Sequence, residues 1–371
     1  MNHKIFAVAD IHAGRSMQNA IPAFREDYVK ALQSLATAIV NDPALVKYVI
    51  LAGDVFDSPK VTGSCMEAFK DFLTTILDES ESHQTMVLYI QGNHDRQDPN
   101  DPSSVPLVEA CTPSHLKHLV HHLSAKPVVY GPKHVKISGL DYAAPEQIKE
   151  QLRTIEATDI LVLHQPMEEF LGFEGSFDLS SEDIPEQVGN VIVGDVHVAC
   201  METLGNGGHL LSPGALHACT IGQIGHGWWD LTTWTFHDIP TRNIVRVNVE
   251  TLTELTDLVP EIVADLETVN GMLPVIDFKV RKEHEEAVQA LKESLDGKVI
   301  VLKSSVVHKR EAFMHNEQVP ESEQRLTLIG ALPFVLNVDK EGKVYRLCEE
   351  CLTGDISLSA DAFVREQLKA K

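Results

Sequence analysis

The stretch MVLYIQGNHD, residues 86–95, decides the fold class of this chain. Its first five residues are apolar, and an apolar run of this length that stops at turn-forming residues predicts a buried β-strand. The run leads into Gly92 and then into Asn93, His94 and Asp95. In α/β domains, ligands gather on the loops that follow the carboxyl ends of strands. These polar side chains are therefore candidates for a binding or catalytic site.

Four further segments repeat this pattern within the first 240 residues. Each is a short apolar run that ends in polar residues. Between the first strands, Phe24 to Val40 has the spacing of an amphipathic helix, and Ser64 to Glu67 has the spacing of a capping box at the start of a second helix. Alternating strands and helices predict an α/β domain. The four runs, with the polar residues after them, are 5–9 with Asp10 and His12, 48–51 with Asp54, 160–163 with His164, and 191–193 with Asp195 and His197.

The composition predicts a globular protein. The chain has 371 residues, 43% hydrophobic and 23% charged, and no apolar run approaches the roughly 20 residues that span a bilayer. The N-terminus lacks the apolar core and cleavage site of a signal peptide, so a cytoplasmic location is predicted. Six cysteines are too few for a disulfide scaffold, and Cys348 and Cys351 lack the second pair that a zinc ribbon needs. We interpret that pair as two reduced thiols.

The sequence pattern changes after Pro240. Alternating strands and helices continue, and this βαβαβ unit predicts a small second domain. A C-terminal segment follows it. The predicted strands are 244–249, 275–280 and 299–307, and the predicted helices are 252–269, 283–295 and, at the end of the chain, 360–369. The predicted domains are 1–240, 241–310 and 311–371.

The polar residues after the five strands are of the types that bind divalent metals. A single histidine after a strand is usually an ordinary hydrogen-bonded side chain, but here five such clusters occur in order. A pair of divalent ions activates water for attack on a phosphate ester and stabilises the leaving oxygen. Mixed histidine, aspartate and asparagine ligands suit Mn²⁺, Fe²⁺ or Zn²⁺ better than Ca²⁺. The sequence therefore predicts a two-metal phosphoesterase site.

These motifs resemble those of the calcineurin-like metallophosphoesterases. The matching segments are 10–12 (DIH), 53–57 (GDVFD), 92–95 (GNHD), His164 and 194–197 (GDVH). Further details resemble one branch, the SbcD-type double-strand-break repair nucleases, which include phage recombination endonuclease subunits. Those details are GDVF at 53–56, IP at 184–185, SPG at 212–214 and the βαβαβ unit as a capping domain. The resemblance implies two packed mixed β-sheets flanked by helices.

The resemblance also implies a role for each candidate residue. His94 would face the scissile phosphate and orient it or protonate the leaving oxygen. Asp195 departs from the commoner pattern, which has a histidine ligand at that position, and Asp57 replaces a second active-site histidine. The extra carboxylate predicts a preference for Mn²⁺ or Mg²⁺ over Zn²⁺. One metal would be held by Asp10, His12, Asp54 and His197, and the other by Asp54, Asn93, His164 and Asp195.

The leading functional hypothesis is a Mn²⁺-dependent DNA exonuclease and endonuclease acting in recombination and repair. The resemblance implies an SMC-like ATPase as partner, bound by the C-terminal segment 311–371, and family members are often homodimers. The sequence alone leaves open whether the last helix binds that partner or packs on the chain's own core. The net charge of −23 argues against a chain that binds DNA alone. Two alternatives stay open: a small-molecule or phosphoprotein phosphatase, and a non-catalytic scaffold for DNA ends. Protein phosphatases typically have GNHE, whereas this chain has Asp95.

The remaining histidines and the tryptophans receive no catalytic assignment. His115, His118, His121 and His122 are predicted to form one face of a surface helix. His217 and His226 lie near glycines, where they would be able to line a groove. Trp228, Trp229 and Trp234 alternate with polar residues, which indicates a half-buried strand that packs against the core.

Overall fold

The computed structural model describes most of the chain up to residue 305. The predicted C-terminal helix, Cys348 and Cys351 lie outside the described residues, as does most of the helix predicted over 252–269. The described residues are 3–15, 24, 26–77, 85–95, 105–130, 135–171, 177–219, 225–249, 263, 266–280, 285–295 and 297–305.

Two mixed six-stranded sheets and one three-stranded parallel sheet form the described part of the fold. The first sheet has the strand order β12-β11-β1-β2-β3-β4, the second β5-β6-β7-β8-β10-β9, and the third β13-β14-β15. Neighbours among β1 to β4 pair in parallel, and so do β6, β7, β8 and β10. The strands are β1 (Lys4–Val8), β2 (Val46–Ala52), β3 (Met86–Ile90), β4 (Val120–His122), β5 (Val128–Tyr130), β6 (Val135–Gly139), β7 (Thr158–His164), β8 (Val188–Gly194), β9 (Cys200–Thr203), β10 (His209–Ser212), β11 (Gly227–Asp230), β12 (Thr235–Asp238), β13 (Ile244–Val249), β14 (Val275–Val280) and β15 (Ile300–Ser305).

The central strands are buried on both faces, which explains their nearly continuous apolar sequences. Along β1, Ile5 and Ala7 face the second sheet and pack with residues such as Val162, whereas Phe6 and Val8 face the helices. The apolar layer between the two sheets therefore joins them into one core. The predicted α/β fold of two packed, helix-flanked mixed sheets is confirmed.

Helices cover the outer faces of both sheets. The predicted apolar face of α1 is confirmed, because Tyr28, Leu32 and Leu35 are buried. The capping box predicted at Ser64 is wrong: the helix begins at Gly63, and its N-cap is the extended Thr62, two residues before Ser64. The Thr62 hydroxyl accepts a hydrogen bond from the Cys65 amide. The helices are α1 (Asp27–Asn41), α2 (Gly63–Ile76), α3 (Leu107–Cys111), α4 (Pro145–Thr154), α5 (Glu168–Leu171) and α6 (Glu285–Ser294).

The histidines near residue 120 do not form a helical face. His118 lies in a short 3-10 turn, and His121 and His122 belong to β4, which pairs in parallel with β3. The ring of His122 stacks on Tyr89 with centroids 4.7 Å apart, and its Nε2 lies 2.8 Å from Asp141. The helix prediction was wrong because strand pairing at the sheet edge determines this segment.

The third sheet lies beside the first two and forms the described part of the predicted βαβαβ unit. Its strands run parallel, with α6 between β14 and β15. Phe24, which precedes α1, is fully buried against Val275 and Leu302 of this sheet. No helix among the described residues is both long and apolar enough to cross a lipid bilayer.

Candidate metal centre

All the predicted site residues lie at the carboxyl ends of parallel strands, and the two sheets bring these ends together. Asp10 and His12 follow β1, Asp54 follows β2, and Asn93 and His94 follow β3. His164 ends β7 in the second sheet, and Asp195 and His197 follow β8. The three loops that follow β1, β2 and β3 in the first sheet therefore meet the two loops that follow β7 and β8 in the second sheet.

The backbone at four of these residues has an unusual conformation. Asp10, His12, Asp54 and Asp195 have positive φ angles of 49°, 44°, 48° and 78°. A non-glycine residue in this region costs roughly 1–3 kcal/mol and persists only where the surrounding structure holds it. Here the loops hold one another: the His12 amide donates to the Asp54 carbonyl at 2.9 Å, and the Asp195 amide donates to the Asp10 carboxylate at 3.1 Å. The backbone turns at these four residues therefore direct the candidate ligands of different loops toward the same place.

His12, His197 and Asp10 form the first half of the centre. The two Nε2 atoms of the histidines are 3.0 Å apart, and Asp10 Oδ1 lies 3.7 Å from that of His197 and 3.9 Å from that of His12. Burial lowers the pKa of His12 to about 2 and that of His197 to about 4. Both rings are therefore neutral near pH 7. At a separation of 3.0 Å only one of the two Nε2 atoms can carry a hydrogen, so the other presents a lone pair.

His164, Asn93 and Asp195 form the second half, and Asp54 lies between the halves. Asp54 Oδ2 is 3.4 Å from His164 Nε2 and 3.7 Å from His12 Nε2. His164 Nε2 is also 3.2 Å from Asn93 Oδ1 and 3.8 Å from Asp195 Oδ1. The His164 Nδ1–H group donates to the Ala52 carbonyl at 2.8 Å. This bond leaves Nε2 facing the carboxylates, as metal-binding histidines require.

The donor atoms fit a pair of cations. One terminal atom of the Asn93 side-chain amide lies 3.0 and 3.1 Å from the two carboxylate oxygens of Asp54 and 3.2 Å from His164 Nε2. The NH₂ group at this position donates to Asp54, and a half-turn of the amide would present its oxygen to a cation instead. Asp10, Asp54 and His164 place one donor atom each within 4.8 Å of one another, and so do His12, Asp54 and His94.

His94 stands at the open side of the centre. Its Nδ1 donates to the Asp57 carbonyl at 2.8 Å, and its backbone amide donates to Asp54 Oδ1 at 2.9 Å. Its side chain is 39% exposed, whereas that of Asp54 is 1% exposed. The ring is thus oriented by the protein and reaches solvent, the position that a group acting on a bound phosphate needs.

Asp95 has a role that the sequence analysis did not assign. Its buried carboxylate accepts hydrogen bonds from the amides of Gly92 at 3.0 Å, Phe56 at 3.0 Å and Val55 at 3.3 Å. Burial and the nearby Asp54 raise the pKa of Asp95 to about 6, against these three donors. Asp95 therefore ties the loop after β3 to the loop after β2. The only signal in the sequence is its place directly after the candidate ligands.

Cys219 is the second residue that the sequence analysis missed. His12, His197 and Cys219 place one donor atom each within 4.8 Å of one another. Burial raises the pKa of the Cys219 thiol to about 12, so it is protonated in the metal-free protein. His217 and His226 are 2% and 5% exposed, so neither lines an open groove.

Two basic side chains lie near the open side. Arg15 Nη1 is 3.7 Å from Asp57 Oδ1, which is in turn 3.7 Å from His12 Nδ1. A cavity of about 310 Å³ adjoins Asp57 and is lined by Lys60, Ser58 and the first turn of α2. Positive charge therefore accompanies the acidic centre on this side.

Residues 3–199 match the family model described as calcineurin-like phosphoesterase. The chain belongs to this family. The matched segment includes every predicted ligand, so the chain is a metal-dependent phosphoesterase, and the fold inferred from the resemblance is confirmed.

One curated relative extends the similarity beyond this domain. The DNA double-strand break repair protein Mre11 of Sulfolobus acidocaldarius is 24% identical over an alignment of 329 positions, which covers 83% of this chain and 81% of that protein. Two solved structures are also similar. TT1561 of Thermus thermophilus has a TM-score of 0.40 and 12% identity, covering 64% of this chain and 98% of its own. A dimetal phosphatase from Danio rerio has a TM-score of 0.35 and 11% identity, covering 57% and 87%.

Proposed function

We propose that this phosphoesterase is a DNA nuclease that uses two divalent ions, Mn²⁺ in preference, to process DNA ends in recombination and repair. The observation that carries the proposal is the meeting of five strand ends around Asp54, whose carboxylate faces His12 on one side and His164 on the other. A carboxylate in this position would hold both ions of a pair. The similarity to a DNA repair protein over most of the chain supports DNA as the substrate.

The proposed ligand sets follow from the two halves of the centre. Asp10, His12, Asp54 and His197 would hold one ion, and Asp54, Asn93, His164 and Asp195 would hold the other. When bound, the ions would supply an activated water and neutralise the charge on the phosphate. His94, held by the Asp57 carbonyl, would orient the phosphate or give a proton to the leaving oxygen.

The net charge of −23 requires that positive charge be concentrated where DNA binds. Arg15 and Lys60 lie beside the open side of the centre and would contact phosphates next to the scissile one. We further propose that an SMC-like ATPase supplies most of the remaining DNA-binding surface and that residues 311–371 bind it. The second candidate function is a phosphatase for small molecules, which would need no such partner.

A direct assay separates these functions. Purified protein is incubated with Mn²⁺ and either linear duplex DNA or p-nitrophenyl phosphate, beside an identically purified Asp54→Asn variant. We expect DNA cleavage that is abolished by EDTA, not restored by Ca²⁺ and absent from the variant. Hydrolysis of p-nitrophenyl phosphate alone would favour the phosphatase, and no activity on either substrate would contradict the proposal.

The partner is tested separately. The full chain and a chain truncated near Thr353 are each mixed with an SMC-like ATPase of the same source and analysed by size-exclusion chromatography. We expect co-elution of the full chain only, while the truncated chain keeps its Mn²⁺-dependent cleavage of short single strands. Co-elution of the truncated chain with undiminished affinity would exclude residues 354–371 as the binding element.

A further inference from the structure

The two halves of the metal centre differ in the chemistry of their donors. One half joins two imidazole rings and a thiol: His12, His197 and Cys219 lie with one donor atom each within 4.8 Å of one another. The other half is rich in oxygen, because Asn93 and Asp195 both face His164 there. The ligand set implied by the family resemblance contains no sulfur, so Cys219 is an addition to that set.

We propose that Cys219 binds, as a thiolate, the ion held by His12 and His197, and that this half of the centre, although it also accepts Mn²⁺, has a higher affinity for Zn²⁺ and other thiophilic ions than the half at His164. This inference rests on the proposed metal centre. Soft sulfur ligands favour Zn²⁺ and comparable ions, and carboxylate and carbonyl oxygens favour Mn²⁺ and Mg²⁺. With Cys219, the first ion would be held by two histidines, one cysteine and the carboxylates of Asp10 and Asp54, and Zn²⁺ binds all three of these ligand types.

The surroundings of Cys219 keep its sulfur in place for this role. The residue is 2% exposed, and its thiol donates to the His217 carbonyl at 3.6 Å. The Nε2 atom of His217 lies 4.0 Å from the same sulfur. Binding of an ion would release the thiol proton to solvent, and the nearby imidazole would be placed to donate to the thiolate. Hydrogen-bond partners of this kind orient metal ligands and tune the ion.

Cobalt provides a spectroscopic test on the full-length protein. Co²⁺ bound to a thiolate has a sulfur-to-metal charge-transfer band in the near ultraviolet, besides the visible d–d bands that any bound Co²⁺ shows. We expect both sets of bands in the wild-type protein. Visible bands without the charge-transfer band would overturn the role of Cys219 and leave the proposed centre intact. No Co²⁺ binding at all would overturn both.

A pair of cysteine variants tests the same sulfur. In Cys219→Ala, we expect the charge-transfer band to vanish, Zn²⁺ binding measured by calorimetry to weaken by at least roughly tenfold, and Mn²⁺ binding to change far less. Cys111→Ala is the matched control, since Cys111 is also buried but lies in α3. Equal weakening of both metals, or a band that persists in Cys219→Ala, would overturn the proposal. If Cys219→Ala does not fold, the presence or absence of the charge-transfer band in the wild-type protein tests the proposal by itself.

Discussion

Arg242 forms a two-pronged ion pair with Asp27, a residue 215 positions earlier in the chain. Arg242 Nε donates to Asp27 Oδ2 at 3.0 Å, and Nη2 donates to Oδ1 at 2.6 Å, with both side chains less than one-tenth exposed. The same guanidinium donates to the Leu273 carbonyl. One arginine therefore connects the first turn of α1 with the residues that lead into β14.

Removal of one partner from this pair should destabilise the protein strongly. Asp27→Asn leaves the Arg242 charge buried without its carboxylate, and such a change costs about 3–5 kcal/mol of unfolding free energy. Glu150→Gln is the control, because the Glu150–Arg153 pair is 66% and 72% exposed and should contribute less than about 1 kcal/mol. Urea denaturation measures both values. Similar values for the two variants would contradict the importance assigned to the buried pair.

Asp54→Asn should be the most damaging single change at the metal centre. Asp54 is the residue proposed to hold both ions, so loss of its charge weakens both. We expect activity to fall by more than roughly 10²-fold, beyond the loss typical of residues that only support a ligand. Asp71→Asn, on the exposed face of α2, is the matched control. Near-normal cleavage by Asp54→Asn would show that this carboxylate does not bridge the ions.

His94→Gln should separate chemistry from metal binding. The His94 side chain is 39% exposed and is oriented by the Asp57 carbonyl. Its loss should therefore lower turnover by roughly 10²–10⁴-fold while the metal content stays near that of the wild type. Metal content by elemental analysis and cleavage rates are measured on the same samples. His118→Gln is the control, because His118 is an exposed histidine outside the proposed ligand set. A variant that loses metal would identify His94 as a ligand instead.

Gly92→Ala should disturb the centre although Gly92 has no side chain of its own. A Cβ at this position would collide with the carboxylate and backbone nitrogen of Asp54. We expect weaker metal binding and lower activity in a variant that still folds, as judged by circular dichroism. A Cβ at Gly205 would meet nothing within 4 Å, so Gly205→Ala is the control. Unchanged metal affinity in Gly92→Ala would argue against the close packing described here.

Metal binding should release protons and strengthen as pH rises. Burial lowers the pKa of His164, but the carboxylates of Asp54 and Asp10 outweigh it and raise the pKa to about 10. Below that pH the metal-free ring is protonated, and an ion that binds Nε2 must displace the proton. Calorimetry at neutral and mildly alkaline pH, in buffers of different ionisation enthalpy, measures both effects. Affinity that falls as pH rises would contradict this assignment.

The strands and the candidate ligands are predictable from sequence because local patterns encode them. Buried strands need continuous apolar runs, and parallel strands place the residues after their carboxyl ends at one edge. Asp10 and His164 are therefore recognisable although they are far apart in the chain. Their roles as ligands stay predictions that the geometry supports.

The features that were missed depend on contacts between distant segments. Asp95 is only one more carboxylate in the sequence, and its role arises from amides on the loop after β2. Cys219 approaches His12 and His197 only because the chain returns to β1 after β10. His122 follows helix-like spacing, yet pairing with β3 makes it part of a strand.

The centre lies across the boundary between the two sheets, with Asp10 and Asp54 on one side and His164 on the other. Bound ions would act as a cross-link between two layers that are otherwise joined by apolar packing and by hydrogen bonds such as that from the Asp195 amide to Asp10. Their binding free energy would then add to the resistance of the whole domain against unfolding. A large-to-small substitution in the apolar layer between the sheets, even one far from any ligand, would let the sheets shift and would lower the affinity for the ions. Resistance to heat and catalytic activity would then both depend on the apolar layer between the two sheets.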